Sequence, residues 1–323
     1  MLRRWLALKR AGVLGLNARN ARYTLAFNPR RLLPQVDDKL TTKQLANAAN
    51  IAVPRCYGVI EEEHEIAAVH QLLAEHQDFV VKPAQGSGGD GILVFTGQAK
   101  GSYRKIGGEL VSHSALEHHL SNILSGMYSL GGQQDKAIIE YRVKFDPVFE
   151  AISYQGVPDV RIIVFLGVPV MAMVRLPTRQ SDGKANLHQG AIGAGIDMAT
   201  GRTLRAVWHN EVIEEHPDTG SPVNGVAIPA WDQLLDIAAR CYELTGLGYQ
   251  GVDMVLDRDL GPLMLELNAR PGLNIQIANQ AGLVPRLDAA EAAASGLPDV
   301  AARVRFAKDQ FGVGLSLADL QGA

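Results

Sequence analysis

Cysteine is scarce in this sequence of 323 residues, and long apolar runs are absent. The two cysteines, Cys56 and Cys241, lie far apart in apolar surroundings, which predicts buried thiols rather than a disulfide framework and favours a reducing compartment. No run approaches the roughly 20 apolar residues of a membrane helix, and the start MLRRWLALKRAGVLGL lacks the cleavage pattern of a secretory signal. We therefore expect a cytoplasmic protein.

Acidic residues are missing from the N-terminal segment. Residues 1–36 contain eight Lys or Arg and no Asp or Glu, with Trp5, Leu6 and Leu8 interleaved among the bases. This predicts a helix that packs its apolar side on the body of the protein, and contact with a membrane surface is the less favoured alternative. The net charge of -3 for the whole chain argues against a general nucleic-acid partner.

The remaining composition, 47% hydrophobic and 20% charged, is ordinary for a globular enzyme with helices and strands. Helix-like and strand-like segments alternate as far as about residue 143, and paired strands dominate thereafter. We predict an α+β multidomain fold with a short basic segment 1–38, a smaller domain 39–143 and a larger domain 144–323 with a helical tail from Ala289. The sequence leaves a homo-oligomer open.

The sharpest pattern is a pair of strand-like segments on either side of residues 258–261. If those residues form the loop of an antiparallel hairpin, Asp253 faces Glu266 and Gly251 faces Asn268, all on one side of the ribbon. The other side then pairs Val252, Met254 and Leu256 with Leu267, Leu265 and Leu263. Two carboxylates and an amide oxygen without a nearby base suit Mg²⁺ or Mn²⁺, for which Gly251 would leave room.

A second pattern suits phosphate: a short strand ending in Lys82 precedes a glycine-rich run that includes Gly86, Ser87, Gly88 and Gly89. Glycines let main-chain N–H groups approach phosphate, and the lysine supplies positive charge. The glycine-rich run also matches the G-x-G-x-x-G fingerprint of dinucleotide-binding sites, but that motif stands at the start of a helix, whereas residues 92–95 predict a strand. We therefore expect a flexible glycine hairpin over a triphosphate. The sequence contains neither a P-loop nor a protein-kinase signature.

A third group surrounds the predicted strands Val160–Leu166 and Pro169–Leu176, joined by a turn at residues 167–168, and the polar loop after them. Its members are Asp159, Arg161, Arg175, Arg179, Lys184, Asn186 and His188. Such a cluster could hold a carboxylate and stabilise a transferring phosphoryl group. Whether the arginines of the two strands share a face depends on the hairpin register, and the histidine is either a proton carrier or structural.

In this order the motifs resemble the ATP-grasp superfamily, and in particular the RimK-like alpha-L-glutamate ligases, over roughly residues 37 to 280. The resemblance implies an ATP-grasp fold with the nucleotide held between two α/β subdomains, and it implies that Lys39 and Lys82 reach phosphates. The segment from Glu140 through Tyr141 to Val143 resembles the part that receives adenine.

The same resemblance implies that Asp159 contacts the nucleotide and that Asn186, with Leu187 and His188, forms a signature beside the active site. Lys184 and Asn186 are candidate nucleotide-binding residues. It also implies that Asp253, Glu266 and Asn268 bind magnesium. Lys184 and Gln189 stand where the glutamate ligases typically have arginines, so the added amino acid stays open.

Together these patterns predict an ATP-dependent carboxylate–amine ligase that works through an acyl phosphate and releases ADP and phosphate. The expected substrates are an amino acid and a carboxylate-bearing small molecule or peptide. One alternative is a phosphotransferase acting on a hydroxyl group. The other is a catalytically silent nucleotide-binding partner protein, against which the complete set of lysines and metal-binding residues argues.

Overall fold

The computed structural model describes residues 2–86, 88–99, 101–129 and 131–313, except for the side chains of residues 2, 4 and 5. The chain divides into a small unit of Asp38–Gln44 and Val53–Val143 and a large unit of Met1–Asp37, Leu45–Ala52 and Lys144–Ala323. The predicted domain boundaries therefore differ from these units in two respects. Residues 1–37 belong to the large unit instead of standing alone, and so does Leu45–Ala52.

The small unit is built on a six-stranded antiparallel sheet with the strand order β1-β6-β2-β3-β4-β5. Its strands are β1 (Cys56–Ile60), β2 (Phe79–Pro83), β3 (Leu93–Ala99), β4 (Ser102–Lys105), β5 (Leu110–Ser112) and β6 (Ala137–Glu140). Its helices are Lys39–Ala48, of which the last four residues belong to the large unit, Glu63–Ala68 (a 3₁₀-helix), Val69–Leu73 and His113–Leu124.

Alternation along β2 and β6 sorts their side chains onto two faces. Phe79, Val81 and Ile139 enter the hydrophobic core of the small unit, where Phe79 packs against Phe95 with ring centroids 4.9 Å apart. Because successive residues of a strand point to opposite faces, Lys82 lies on the face away from this core. The two short strands β4 and β5 were absent from the sequence-based expectation, and they extend the sheet at its edge.

The large unit carries a seven-stranded antiparallel sheet with the order β11-β10-β9-β8-β7-β12-β13. Its strands are β7 (Asp159–Phe165), β8 (Val168–Leu176), β9 (Ile192–Ile196), β10 (Thr203–Trp208), β11 (Glu211–Ile213), β12 (Tyr249–Asp257) and β13 (Gly261–Asn268). Helical segments after the N-terminal region are Pro147–Ile152 and Leu187–Gln189 (both 3₁₀), Trp231–Thr245, Ile275–Ala278, Val284–Ala293, Ala294–Gly296 (3₁₀) and Val300–Phe311.

The turn between β7 and β8 falls one residue earlier than predicted. Leu166 and Gly167 occupy it, both with positive φ, 50° and 79°. Two consecutive residues with positive φ match the right-handed twist of a tight hairpin. The predicted helical tail from Ala289 contains the end of the helix Val284–Ala293, the 3₁₀-turn Ala294–Gly296 and the helix Val300–Phe311, with residues 297–299 outside the helices. Residues 314–323 lie outside the described residues.

The N-terminal segment is almost entirely helical and belongs to the large unit. It consists of Leu2–Arg10, Leu16–Ala18, the π-helix Arg19–Thr24, Leu25–Phe27, the 3₁₀-helix Arg30–Leu32 and Pro34–Asp37. The expectation that its first helix buries an apolar side is wrong for Leu6 and Leu8, which are 38% and 55% exposed, while the side chain of Trp5 lies outside the described part.

Two further expectations concern cysteines and membrane helices. Both cysteines are free thiols, but only Cys241 is buried, because Cys56 is exposed at the start of β1. The prediction of a buried Cys56 was therefore wrong. No helix within the described ranges is long and apolar enough to cross a membrane.

Candidate active site

The β12–β13 hairpin brings the predicted metal-binding residues together. Asp253 pairs with Glu266 and Gly251 with Asn268, which confirms the predicted pairing. Asn268 Nδ2 lies 3.1 Å from Glu266 Oε1 and 3.4 Å from Asp253 Oδ2. Asp253 is buried, whereas Glu266 and Asn268 are half-buried and reach solvent.

A β-bulge produces this pairing by a different route from the one predicted. The loop is one residue shorter than expected, since Asp257 pairs with Gly261 and Met254 with Met264. The register shifts between Asp253 and Met254, and Leu265 stays unpaired. Without this shift Asp253 would face Leu265, and Glu266 would point to the opposite side of the sheet. The bulge therefore puts both acids on one face, and the predicted apolar pairs of Met254 with Leu265 and Leu256 with Leu263 are wrong.

Two arginines lie on the same face as the acids. Arg161 of β7 pairs with Asp253 of β12, and Asp159 pairs with Arg175 of β8. Because Asp159 and Arg161 are two residues apart on one strand, both arginines share the face, which answers the question that the register left open. Arg161 donates from Nε to Asp253 Oδ1 at 2.7 Å and from Nη2 to Oδ2 at 2.5 Å.

Arg175 links the two aspartates. It donates to Asp159 from Nε at 2.5 Å and from Nη2 at 2.6 Å, and Nη2 also lies 2.7 Å from Asp253 Oδ2. Both oxygens of Asp159 are thus engaged by an arginine of the same unit. This pairing orients Arg175, and the nucleotide contact that the resemblance implied for Asp159 stays a prediction.

The shared arginine separates the acidities of the two aspartates. Burial raises the pKa of Asp159 to about 6, against the opposing charge of Arg175 and together with the negative charge of Asp253. Burial also opposes ionisation of Asp253, but Arg161 and Arg175 outweigh it and hold the pKa of that carboxyl below its usual range. Asp253 is therefore the more strongly ionised acid of the pair.

The donor set fits a hard divalent cation. Asp253 Oδ1 accepts one hydrogen bond and keeps a second lone pair, and Glu266 offers a solvent-facing carboxylate. Asn268 presents its amide nitrogen to the acids, and a rotation of the amide group would present its oxygen instead. Within the described ranges no group of three or more His, Cys, Asp or Glu side chains converges to hold a metal. Water and phosphate oxygens would therefore complete the coordination of Mg²⁺.

Gly251 has a different purpose from the one expected. A Cβ atom added to it would lie 2.7 Å from Cβ of Pro271, in the loop that follows β13. The space over Gly251 is therefore filled by a proline ring rather than kept open for an ion. The absence of a side chain lets the loop fold back over the hairpin.

In the polar loop after β8, Arg179 and Asn186 contact residues outside this cluster. Arg179 forms an ion pair with Asp218, with 3.9 Å between Nε and Oδ1, and its guanidinium lies 5.3 Å from the ring centre of Tyr154. The side chain of Asn186 accepts a hydrogen bond from the main-chain N–H of His188 and caps a short turn, and Lys184 is half-buried. The His188 side chain is exposed, with no hydrogen-bond partner among the described residues.

In the small unit, Glu140 lies between two buried lysines. Its carboxylate is 2.5 Å from Lys82 Nζ and 2.8 Å from Lys43 Nζ, and Lys43 also donates to the carbonyl of Pro54 at 2.9 Å. Burial opposes ionisation of Glu140, but Lys82 and Lys43 hold the pKa of its carboxyl below the ordinary value. Lys43 was not singled out in the sequence, although it follows Lys39 by one helical turn.

The glycine run forms a turn between two antiparallel strands, as predicted. Val81 pairs with Leu93, and Gly88 and Gly89 have φ of 69° and 83°, which side chains rarely adopt. Lys39 donates from Nζ to the carbonyl of Gly86 at 2.5 Å. Ser87, which belongs to this predicted site, lies outside the described residues.

The segment that follows Glu140 is part of the small unit. The main-chain N–H of Tyr141 donates to the carbonyl of Arg55 at 2.8 Å, and Val143 is buried. The side chain of Glu140 is engaged by lysines, so an adenine contact in this segment would use main-chain groups. That contact stays a prediction.

Comparison with known families gives one match, and it covers more than half of the chain. The profile of a family described as sugar-transfer associated ATP-grasp matches residues 18–292. These residues include the small-unit lysines and the β12–β13 hairpin. No curated protein matches the chain.

Solved structures show likeness at low identity. The ATP-grasp ligase PsnB, complexed with a minimal precursor, is 18% identical with a TM-score of 0.47 over 83% of this chain and 63% of that chain. The D-alanine–D-alanine ligase from Bacillus anthracis is 17% identical with a TM-score of 0.43, over 85% and 69%. Rhizobium etli pyruvate carboxylase is 14% identical with a TM-score of 0.50, over 84% and 20%.

The chain spans less than two thirds of the length of PsnB, with 63% of that ligase covered. Identities this low concern the fold alone. The family profile carries the assignment, because it spans the strands, the glycine turn and the hairpin described above. The chain therefore has the ATP-grasp fold and belongs to the sugar-transfer associated ATP-grasp family.

Proposed function

We propose that this protein is an ATP-dependent carboxylate–amine ligase that works through an acyl phosphate. The observation that carries the proposal is the row of charged groups on one face of the large sheet. There Asp253, Glu266 and Asn268 adjoin Arg161 and Arg175. Oxygen donors for a hard cation beside two guanidiniums suit the transfer of a phosphoryl group to a carboxylate.

The proposed reaction has two steps. A carboxylate oxygen of the substrate bonds to the γ-phosphorus of ATP as the bond to the β-phosphate oxygen breaks, and ADP leaves. The nitrogen of the amine then bonds to the acyl carbon, the bond from that carbon to the phosphate oxygen breaks, and the amine gives up a proton. Phosphate and an amide are the products.

In this proposal Asp253, Glu266 and Asn268 would hold Mg²⁺ or Mn²⁺, which would supply positive charge to phosphate oxygens. Arg161 and Arg175 keep Asp253 ionised and oriented. The Nη1 groups of both arginines have no acceptor within the described part of the chain, so they are our candidates for binding the substrate carboxylate and the transferring phosphoryl group. We keep His188 as the candidate proton acceptor because its ring is exposed.

The lysines of the small unit are proposed to bind phosphate. Lys43, Lys82 and Glu140 together carry one excess positive charge, and Lys39 at the glycine turn adds a second. Glycines with positive φ have no side chain to keep phosphate oxygens away from the main chain, which suits phosphate binding at this turn. We propose that main-chain groups near Tyr141 and Val143 contact adenine and that Lys184 and Asn186 border the nucleotide.

Two observations guide the choice of substrates. The family description favours a carboxylate or an amine that is attached to a sugar. The resemblance to RimK-like ligases favours an amino acid as the amine, and its identity stays open because Lys184 and Gln189 stand where those ligases have arginines. We place the reaction in the cytoplasm, since two free thiols suit a reducing compartment.

The test is an incubation of the purified protein with ATP, Mg²⁺ and pools of amino acids, carboxylates and amino or acidic sugars, with ADP, phosphate and condensed products measured together by mass spectrometry. An amide formed with equal amounts of ADP and phosphate is the expected result. A phosphorylated product without free phosphate would replace the ligase by a phosphotransferase.

Two variants locate the activity. Glu266→Gln removes a carboxylate charge from the hairpin and is expected to lower turnover at least ~100-fold, by analogy with the loss of one charge-stabilising group in an active site. Glu211→Gln changes an exposed acid on β11 of the same sheet and is expected to leave turnover unchanged. Equal rates in both variants would remove the hairpin from the mechanism.

A further inference from the structure

A cavity lies in the large unit, at the N-terminal segment. Its volume is about 390 Å³, and it is lined by Asn20, Thr24 and Asn28, by Arg30 and by Arg270 from the loop after β13, with leucines completing the wall. Small-molecule sites in proteins measure roughly 300–1,000 Å³. Among the residues that the structure describes, no acidic side chain lines this cavity.

The two arginines in the wall differ from those of the proposed active site. Arg161 and Arg175 are bound to aspartates, whereas the guanidiniums of Arg30 and Arg270 have no ion pair or hydrogen bond within the described residues. Unpaired guanidiniums that converge on a cavity attract oxyanions, since each presents a planar set of donors.

A third arginine adds positive charge behind the wall. Arg19 is only 8% exposed, and its guanidinium donates to the carbonyls of Arg270 and Pro271 and to the side-chain oxygen of Asn20. All these acceptors are neutral, and among the described residues no carboxylate pairs with it. A buried cation without a counter-ion is costly, and an anion bound nearby would offset that cost.

The cavity lining also contains a hydroxyl group without a hydrogen-bond partner among the described residues. Thr24 is 4% exposed, and its hydroxyl oxygen has no hydrogen-bond partner in the part of the chain that the structure describes. Thr24 is the last residue of the π-helix Arg19–Thr24. Asn20 lies about one turn earlier in the same helix and lines the same cavity. π-helical turns are rare and occur frequently at functional sites, because the widened turn re-aims side chains.

We propose that this cavity binds a small molecule that carries a compact dianion, with Arg30 and Arg270 as its direct contacts. The chemistry shared by the candidates is a pair of negative charges on neighbouring oxygens, as in a phosphate monoester or a short dicarboxylate. This inference does not depend on the ligase proposal, because it concerns binding without ATP.

The loop that carries Arg270 gives the cavity a connection to the metal-binding hairpin. Arg270 follows Asn268 by two residues, and Asn28 in the cavity wall donates to the carbonyls of Tyr249 and Ala269 at 2.7 and 3.2 Å. An occupant of the cavity would therefore touch the residues that hold the end of the hairpin.

The experiment is isothermal titration of the full-length protein at low ionic strength, without ATP, with inorganic phosphate, glucose 6-phosphate and succinate as separate probes. We expect at least one probe to bind. Arg30→Gln and Arg270→Gln are each expected to weaken that binding roughly 10-fold or more, the effect of losing one charge-assisted hydrogen bond. Phosphate-only or succinate-only binding would distinguish the two sources of the dianion.

Matched controls assign the binding to this cavity. Arg31→Gln changes the neighbouring exposed arginine, which does not line the cavity, and is expected to keep full affinity. Lys39→Ala removes a candidate phosphate ligand of the small unit, and this variant is also expected to bind the probe with full affinity. Circular dichroism and thermal unfolding of each variant verify folding.

Three results would overturn the proposal. They are the absence of binding by all three probes, equal affinities in wild type and both cavity variants, and loss of binding in Lys39→Ala alone. The last result would assign the anion to the glycine turn.

Discussion

Glu140 is the shared counter-ion of two buried lysines, and its replacement gives a quantitative test of the small unit. The side chains of Glu140, Lys43 and Lys82 are 5%, 3% and 7% exposed. Glu140→Gln leaves both ammonium groups without a carboxylate. Removal of one partner of a buried ion pair costs about 3–5 kcal/mol of folding free energy, and this change removes the partner of two.

Lys43→Met is the informative counterpart. It removes one ammonium group and leaves Glu140 paired with Lys82, whose Nζ is 2.5 Å from Oε1. The remaining loss is the contact of Lys43 with the Pro54 carbonyl, so we expect a cost of about 1–3 kcal/mol, the range for an unsatisfied buried acceptor. The double variant is expected to cost less than the sum of the two single variants, because the two groups interact.

Urea denaturation at pH 7 measures the free energy of unfolding, and hydrogen exchange of peptides from β2 and β6 assigns the loss to this sheet. A cost for Lys43→Met equal to that for Glu140→Gln would refute the idea of a shared counter-ion. A lowered carboxyl pKa contributes stability above the unfolded value, about 4.3 for glutamate, and loses it as the pH falls through the folded value. The difference between wild type and Glu140→Gln should therefore be complete at pH 7 and shrink only in acid.

Three further predictions test other parts of the chain. Gly251→Ala is expected to destabilise the protein by about 1–3 kcal/mol and to weaken magnesium-dependent ATP turnover, because the added Cβ would lie 2.7 Å from Pro271. In the control Gly97→Ala, the added Cβ meets no atom within 4 Å and should be nearly neutral, so equal effects of the two variants in denaturation would contradict this. Asn28→Ala should lower the free energy of unfolding by about 2–4 kcal/mol, since it removes hydrogen bonds to Tyr249 and Ala269. Asn17 is exposed, so Asn17→Ala serves as the control in the same thermal melt, and similar losses in both variants would argue that Asn28 does not anchor these two residues. Titration with a thiol reagent at pH 7 should modify Cys56 and should leave Cys241 unmodified until urea is added, because Cys241 is buried and burial raises its pKa to about 12. Rapid reaction of both thiols in the native protein would contradict the burial of Cys241.

Much of the hairpin that holds the proposed metal ligands could be predicted from sequence. The alternation around Asp253 and Glu266 has a period of two, so it reports which residues share a face as soon as the strands pair. The glycine run was predictable for a similar reason, since strand-like residues follow it and a helix would need another pattern. The family resemblance pointed to the ATP-grasp fold, which the family profile bears out.

Other features depended on groups that are distant along the chain. The register shift that leaves Leu265 unpaired was not predicted, because alternation along two strands does not by itself fix the length of the loop between them. Lys43 was missed because its partner Glu140 lies on a strand almost a hundred residues later. Arg161 and Arg175 were found, but their bidentate pairing with two aspartates required the register of three strands.

The sequence by itself determined the period of its strands, the glycine turn and the residues able to hold phosphate or a metal, because these follow from local sterics and side-chain chemistry. Tertiary structure decided which charges meet. It paired Asp253 with two arginines, gave Glu140 two lysines and filled the space above Gly251 with Pro271. Within the described part of the chain, it also left Arg30 and Arg270 unpaired at a cavity. The reason is physical: local patterns fix where a side chain points, whereas packing fixes what it reaches.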